Sequence, residues 1–194
     1  MDINVMDYTE NYVNLLYLAG RGCYGLEKLT NETLVLKRRF IKRLINNGHE
    51  SVLEHAKISI LINGCSRSFM AQITRHRLVS FSIKSQHFVK HDNFKYKKLE
   101  IQDSIILAKY KNIMSLIQQY YNEFIFQYNI PIHVAREILP NACLTNIFMT
   151  ANFREWRYII KLRKTKKNTY EMIEFANQIN IMFRNIIPEV FSDL

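Results

Sequence analysis

The chain has 194 residues, 48% hydrophobic and 23% charged, a composition that argues against disorder and supports one domain with a real core. Its formal net charge of +10 favours polyanionic partners such as nucleotides, phosphorylated cofactors or nucleic acid, although the Lys-, Asn-, Ile- and Tyr-rich composition also fits an AT-rich genome. No stretch reaches the apolar length of a membrane span, and the acidic opening MDINVMDYTE reads as neither signal nor transit peptide, so the cytoplasm is the expected location.

In chain order, residues 8–20 read as a helix with Thr9 as its cap. Thr30 is expected to open a second helix, in which Leu36, Phe40 and Leu44 recur every four residues, the cations Arg38, Arg39, Lys42 and Arg43 crowd the C-terminal half, and Gly48 marks the stop. Ala56, Ile58, Ile60 and Ile62 alternate with other residues as in a strand, and a helix is expected over 66–76. Val79, Phe81 and Ile83 alternate with Ser80, Ser82 and Lys84, which predicts an extended segment. Ile106, Tyr110, Ile113, Ile117, Tyr120 and Phe124 predict a long amphipathic helix over 102–128. Pro131 starts a short helix that Pro140 ends, a strand is expected over 142–150, and helices over 153–163 and 169–186 close the chain. The mix is α+β in one domain spanning 1–194, with helices outnumbering strands.

Three cysteines, Cys23, Cys65 and Cys143, lie far apart without metal-ligand spacing, and each reads as a small buried hydrophobe. Gly20 to Gly25, GRGCYG, fits a dinucleotide fingerprint. The pattern needs a preceding strand and an acidic residue about 20 positions on, and both are missing, so it reads as a helix end and loop.

The stretch Arg75-His76-Arg77 is more informative. Phe69, Met70 and Ile73 precede it and Leu78, Val79 and Phe81 follow it, surroundings too apolar for a plain solvated turn. Guanidinium groups held in such a setting call for anionic partners, and their forked donors suit phosphate. Ser80, Ser82 and Ser85 add hydroxyl groups, so a nucleotide phosphate is the expected ligand.

Arg75-His76-Arg77, seven residues and then Ser85 resembles the signature of the flavin-dependent thymidylate synthases. The resemblance extends to GHESVLEH (48–55), GCSRSFMAQITRHR (64–77), AREILP (135–140), ANFREWRYIIKLR (151–163) and the early AGRGCY. It implies conversion of dUMP to dTMP, with methylenetetrahydrofolate supplying the carbon and NADPH reducing a bound FAD that supplies the hydride. It also implies a compact single domain with an antiparallel sheet flanked by helices, and a homotetramer whose active sites draw residues from several subunits, with no role for nucleic acid. In such an enzyme an arginine polarises the pyrimidine near N3 and O2 in place of a cysteine nucleophile. By motif position that residue is Arg163, otherwise one cation of the run Lys161–Lys167.

The same resemblance assigns Arg75, His76 and Arg77 to FAD, with Arg75 also reaching dUMP. Ser51, Asn152 and Arg154 hold FAD, Tyr158 touches the flavin and His49 lies near its ring. Gln72, Lys84, Ser85, Gln86, His87, Arg136 and Arg163 bind dUMP. Taken singly, Asn152 is a helix cap, His49 a loop histidine, and Ser85 a nucleophile without an evident base. The chain departs from the commoner pattern at Ile83, where a Glu is usual, at His87 in place of an Arg, and at His133 in place of a frequent Glu.

Two other readings stay open. One is an FAD-binding relative that has lost or changed its methylation chemistry. The other is a basic nucleic-acid-binding module, with Phe88, Phe94 and Tyr96 stacking among Lys90, Lys95, Lys97 and Lys98.

Overall fold

The computed structural model describes residues 1–23, 25 and 32–194. Its elements are β1 (Asp2–Tyr8), α1 (Tyr12–Gly22), α2 (Leu34–Asn46), a 3-10 turn (Glu50–His55), β2 (Lys57–Ser66), α3 (Arg67–Ile73), β3 (Val79–Ile83), α4 (Ser104–Phe126), α5 (Ile132–Ala135), a second 3-10 turn (Arg136–Ile138), β4 (Leu144–Asn152), α6 (Phe153–Arg163), α7 (Tyr170–Ile186) and α8 (Pro188–Phe191). The four strands form one sheet in the order β1-β2-β4-β3. The end of β1 meets the start of β2 where the Thr9 N–H donates to the Lys57 carbonyl, and Ser59 faces Thr150 while Cys65 faces Thr145, so these pairs run antiparallel. The expected α+β class, an antiparallel sheet flanked by helices, is what the chain forms.

Several local expectations need correction. Strand β1 was not expected; it takes in Tyr8, the first residue of the expected helix, and α1 begins only at Tyr12. Thr9 caps no helix: its Oγ1 accepts the Lys57 N–H and closes the β1–β2 pair. Thr30 lies outside the described residues, and α2 starts at Leu34, with the Thr33 hydroxyl accepting the Leu36 N–H. Strand β2 runs on to Ser66, α3 stops at Ile73, and β4 lies two residues later than expected. Cys23 is exposed, while Cys65 and Cys143 are buried.

The GRGCYG stretch does end a helix. A side chain at Gly20 would meet Phe40 Cε1 at 2.7 Å and Leu44 Cδ1 at 2.8 Å, so this glycine serves close packing of α1 on α2. Gly48, at φ +76°, takes the left-handed conformation that follows a helix end.

The chain divides into two compact units, one of Met1–Asp2, Ile62–Arg75 and Ser82–Ile147, the other of Ile3–Leu61, His76–Phe81 and Phe148–Leu194. In the first, Phe94, Met114 and Cys143 form one buried cluster, and Tyr121, Ile125 and Ala135 form another. Helix α4 is apolar around much of its circumference, so its periodicity fixed the helix but only part of its buried side. Met114, Tyr121 and Ile125 are buried, and Tyr110, Ile117 and Phe124 of the expected stripe pack beside them, while Ile106, Ile113 and Tyr120 of that stripe are exposed. In the second unit, Trp156 is fully buried, donates its indole N–H to the Ile58 carbonyl at 3.0 Å and meets Phe183 edge-on. Arg157, 1% exposed, forks onto Asp193 at 2.6 and 2.7 Å, reaches Glu50 at 3.1 Å and also donates to the Val190 carbonyl. It ties the Glu50–His55 turn and the C-terminus to α6.

Candidate active site

Helix α6 organises the site of the second unit. Asn152 ends β4 in an extended conformation, and its Oδ1 accepts the Glu155 N–H at 2.8 Å, a side-chain cap that fixes where the helix begins. From this start α6 carries Arg154, Glu155, Tyr158 and Arg163.

His76, 5% exposed, lies against that helix. Its Nδ1 is 2.9 Å from Glu155 Oε1, and its Nε2 accepts Nε–H of Arg163 at 3.0 Å. The Tyr158 ring meets the imidazole edge-on at 5.7 Å. Burial holds His76 below the ordinary imidazole value; the bond to Glu155 opposes this and the charge of Arg163 reinforces it. Burial thus favours the neutral imidazole. Arg163 also donates from Nη1 to Asn168 Oδ1 at 3.3 Å; Asn168 sits in the turn after α6 and donates to the Leu162 carbonyl. Burial lowers the proton affinity of the half-buried Arg163 guanidinium.

Beside this cluster lies a cavity of about 460 Å³, lined by Asn152, Arg154, Glu155, Tyr158, Lys161, Leu78, Glu50 and Glu54. Arg154 donates to Glu54 at 2.5 Å. The lining mixes two cations, three carboxylates and an amide with an aromatic ring and an aliphatic side chain; Glu155 is engaged by His76, and Glu50 by Arg157 and Lys161. That donor set fits a cofactor bearing both a diphosphate and a planar ring, provided its anionic part displaces Glu54 from Arg154. Ser51 sits in the Glu50–His55 turn and His49 immediately precedes it, both exposed.

The arginines of the signature are not enclosed as their apolar neighbours suggested. Arg75 and Arg77 are exposed, and Leu78 is 72% exposed; only the histidine between the arginines is buried.

In the first unit, Gln72 and Arg75 stand at the end of α3, and Lys84, Ser85, Gln86 and His87 follow β3. The Ser85 hydroxyl oxygen accepts the N–H groups of His87 at 3.0 Å and Phe88 at 3.4 Å, a local turn that fixes this segment. His87 stacks on His133. Arg67, passed over in the sequence, gathers several of these residues. Its Nη1 donates to the Lys84 carbonyl at 3.4 Å, burial lowers its proton affinity, and the charge of Arg136 lowers it further. Gln86 bonds to the buried Cys143, whose thiol burial pushes up although Arg67, Gln86 and Lys84 act the other way. Lys84, Gln86 and Arg136 thus gather around Arg67. Arg67 sits eight residues before Arg75 within a quoted motif, and that position is the signal that could have found it.

Glu155 was also missed. Asn-x-x-Glu at 152–155 reads as a helix start, which hides the use of the carboxylate on His76.

Nucleic-acid stacking loses its platform. Phe94 is buried and Tyr96 packs against it, held edge-on to Tyr110; of the three aromatics only Phe88 is strongly exposed, at 78%.

A family model described as thymidylate synthase complementing protein matches residues 4–189. The chain belongs to the flavin-dependent thymidylate synthase family. It is 30% identical to the flavin-dependent thymidylate synthase of Mycolicibacterium vanbaalenii, over 92% of this chain and 78% of that protein. To the Clostridium tetani protein of the same name it is 29% identical, over 97% of this chain and 84% of the relative. In fold it is similar to thymidylate synthase X from Helicobacter pylori, solved with FAD and dUMP. The TM-score is 0.80 at 21% identity, covering 100% of this chain and 98% of that one. Among the described residues no helix is long and apolar enough to cross a membrane.

Proposed function

We propose that this chain catalyses the reductive methylation of dUMP to dTMP, with methylenetetrahydrofolate as carbon donor, NADPH as reductant and FAD as bound cofactor. Family membership supports the reaction class, and the observation that carries it to residues is the anchored guanidinium of Arg163. Two of its donors are committed to His76 and Asn168, so the plane of the group is fixed. A fixed, permanently charged plane suits one edge of a uracil and stabilises negative charge as it develops near N3 and O2.

Activation by a cysteine nucleophile finds no support in the thiols described. Cys65 and Cys143 are buried, and burial pushes the Cys143 thiol away from its reactive thiolate form. Cys23 is exposed but turns its sulfur toward the Ala19 carbonyl within its own helix, 3.8 Å away.

FAD, when bound, supplies the hydride that completes the new methyl group. Arg154, Lys161 and Asn152 would hold its polar part and Tyr158 its ring, with His49, Ser51, Arg75, His76 and Arg77 as further contacts. Gln72, Lys84, Ser85, Gln86, His87, Arg136 and the newly found Arg67 would orient dUMP, together with Arg75 and Arg163. The exposure of Arg75 and Arg77 is consistent with a homotetramer in which subunits complete one another's sites.

The deciding experiment incubates purified protein with dUMP, methylenetetrahydrofolate, NADPH and FAD and follows dTMP. Turnover that disappears in Arg163→Ala supports the reading. Flavin absorbance without dTMP would instead mark a relative with lost methylation chemistry, and the absence of both flavin absorbance and dTMP would refute the proposal outright.

A further inference from the structure

We propose that Glu155 is a positioning residue for the reaction: by accepting the Nδ1–H of His76 it fixes the imidazole tautomer whose Nε2 holds Nε of Arg163. The inference rests on the role proposed above for Arg163, and it concerns a residue that contacts neither carbon donor nor pyrimidine in that scheme.

The argument is one of donors and acceptors. A guanidinium has no lone pair to offer, so the short contact between Arg163 Nε and His76 Nε2, 3.0 Å, exists only if that imidazole nitrogen is the acceptor. A neutral imidazole has a single N–H, which must then sit on Nδ1. An imidazolium would present two N–H groups and lose the arginine. The Nδ1 proton needs an acceptor in a place that water barely reaches, since the side chains of His76 and Glu155 are 3% and 8% exposed. Glu155 Oε1, at 2.9 Å, is that acceptor.

The chain is built to keep this arrangement. Glu155 is in the first turn of α6, and the Asn152 cap fixes the position of its backbone. Arg163 is on the last turn of the same helix, and the imidazole bridges the two. Tyr158, between them in sequence, presses edge-on against the imidazole ring. A proton relay is excluded by the chemistry of the end group, because the guanidinium does not give up its proton near neutrality. What the triad can transmit is orientation. A guanidinium aligned on developing charge loses most of its effect when it rotates or shifts by a fraction of an ångström.

The first measurement is the tautomer of His76 in the full-length wild-type protein, from long-range proton–nitrogen NMR of the imidazole without added flavin. The neutral Nδ1–H form near neutral pH is expected; the Nε2–H form or an imidazolium would overturn the proposal. This readout does not depend on turnover, so it stands or falls separately from the proposed function.

The second is a mutant cycle on dTMP formation. Glu155→Gln, whose amide can turn its NH2 toward Nδ1 and force the wrong tautomer, should lower kcat by about tenfold to a hundredfold with little change in the KM for dUMP. His76→Ala should lower it comparably, and the double variant should be no worse than His76→Ala alone. Independent, multiplying effects would show that Glu155 does not act through His76 and would sink the idea. Wild-type protein that shows the expected tautomer but no turnover would count against the proposed function and leave the Glu155–His76 link intact.

Discussion

His87 stacks on His133, ring centroids 5.2 Å apart and planes 22° from parallel. These are two of the positions at which the chain departs from the commoner family pattern, which favours an Arg at the first and often a Glu at the second. The structure brings the two departures together. The two rings meet although 46 positions separate them in sequence.

The first prediction follows from that pair. An imidazole carries a charge that depends on pH, whereas the charge of an arginine is fixed. Binding of dUMP, measured by calorimetry, is expected to tighten as pH falls from neutral to mildly acidic. His87→Arg should flatten the profile, and His87→Arg with His133→Glu should keep it flat while giving the new arginine a carboxylate beside it. A wild-type affinity independent of pH would remove the basis for this assignment.

Asn152 offers a separation of stability from cofactor binding. Its Oδ1 is used as the cap of α6. Asn152→Asp keeps the cap oxygen and loses the amide donor, so folding stability should hold while FAD binding weakens. Asn152→Ala should lose both, with a stability cost of about 1 kcal/mol. Urea titration and flavin fluorescence read the two effects; equal FAD affinity in all three proteins would exclude Asn152 as a ligand.

Arg157 is the structural counterpart of Arg163 on the same helix. Its removal empties a buried side chain and takes the charge-assisted bonds from exposed Asp193 and from Glu50, which keeps Lys161 at 3.4 Å, so Arg157→Ala should cost about 1.5–3 kcal/mol, visible as a drop in the urea midpoint. Arg157 also holds Asp193 below the usual carboxylate range. That contribution to stability is present above the unfolded carboxylate value of 3.8 and is lost as pH falls through the lowered folded value. In Arg157→Ala this acid-limb loss should shrink.

Two buried histidines predict a second, milder pH limb. Burial lowers His76 and His91 below 6.5; Lys84 and Arg67 push His91 further, as Arg163 does His76 against the pull of Glu155. The unfolded chain then binds more protons than the folded one between the lowered values and 6.5. Stability is full above that pH and declines as pH falls below it. Chemical unfolding across this range should show the decline, and His91→Phe should reduce its slope; midpoints that do not move with pH would contradict it.

Gly20→Ala tests the packing of α1 on α2. Helix propensity alone favours the alanine by about 1 kcal/mol. The new methyl group would stand 2.7 Å from Phe40 and 2.8 Å from Leu44, closer than carbon atoms sit without displacement. Overpacking of about 1–3 kcal/mol should outweigh the gain, and a thermal melt should show net destabilisation.

Much of the fold was legible because it rests on local rules. The alternation of Ile58, Ile60 and Ile62 gave β2, the spacing in 153–163 gave α6, and motif order gave the family. Strand β1 was hidden because DINVMDY has no clean alternation to bury, and its identity as a strand comes from pairing with a partner nearly fifty residues away. Helix α4 was seen, but only part of its inward side, since apolar residues surround it and only its neighbours decide which are covered.

The same division runs through the site. By itself the sequence determined which groups are present: guanidinium groups, an imidazole and hydroxyl groups in a spacing suited to nucleotide phosphate and flavin. Tertiary structure alone decided that His76 would be buried while the arginines beside it stay exposed, that Arg67 would gather the residues after β3, and that Glu155 would turn from a helix start to an imidazole 79 positions away. Hydrogen-bond direction and desolvation depend on distances of a few ångströms between residues far apart in the chain, and no pattern along the chain encodes them.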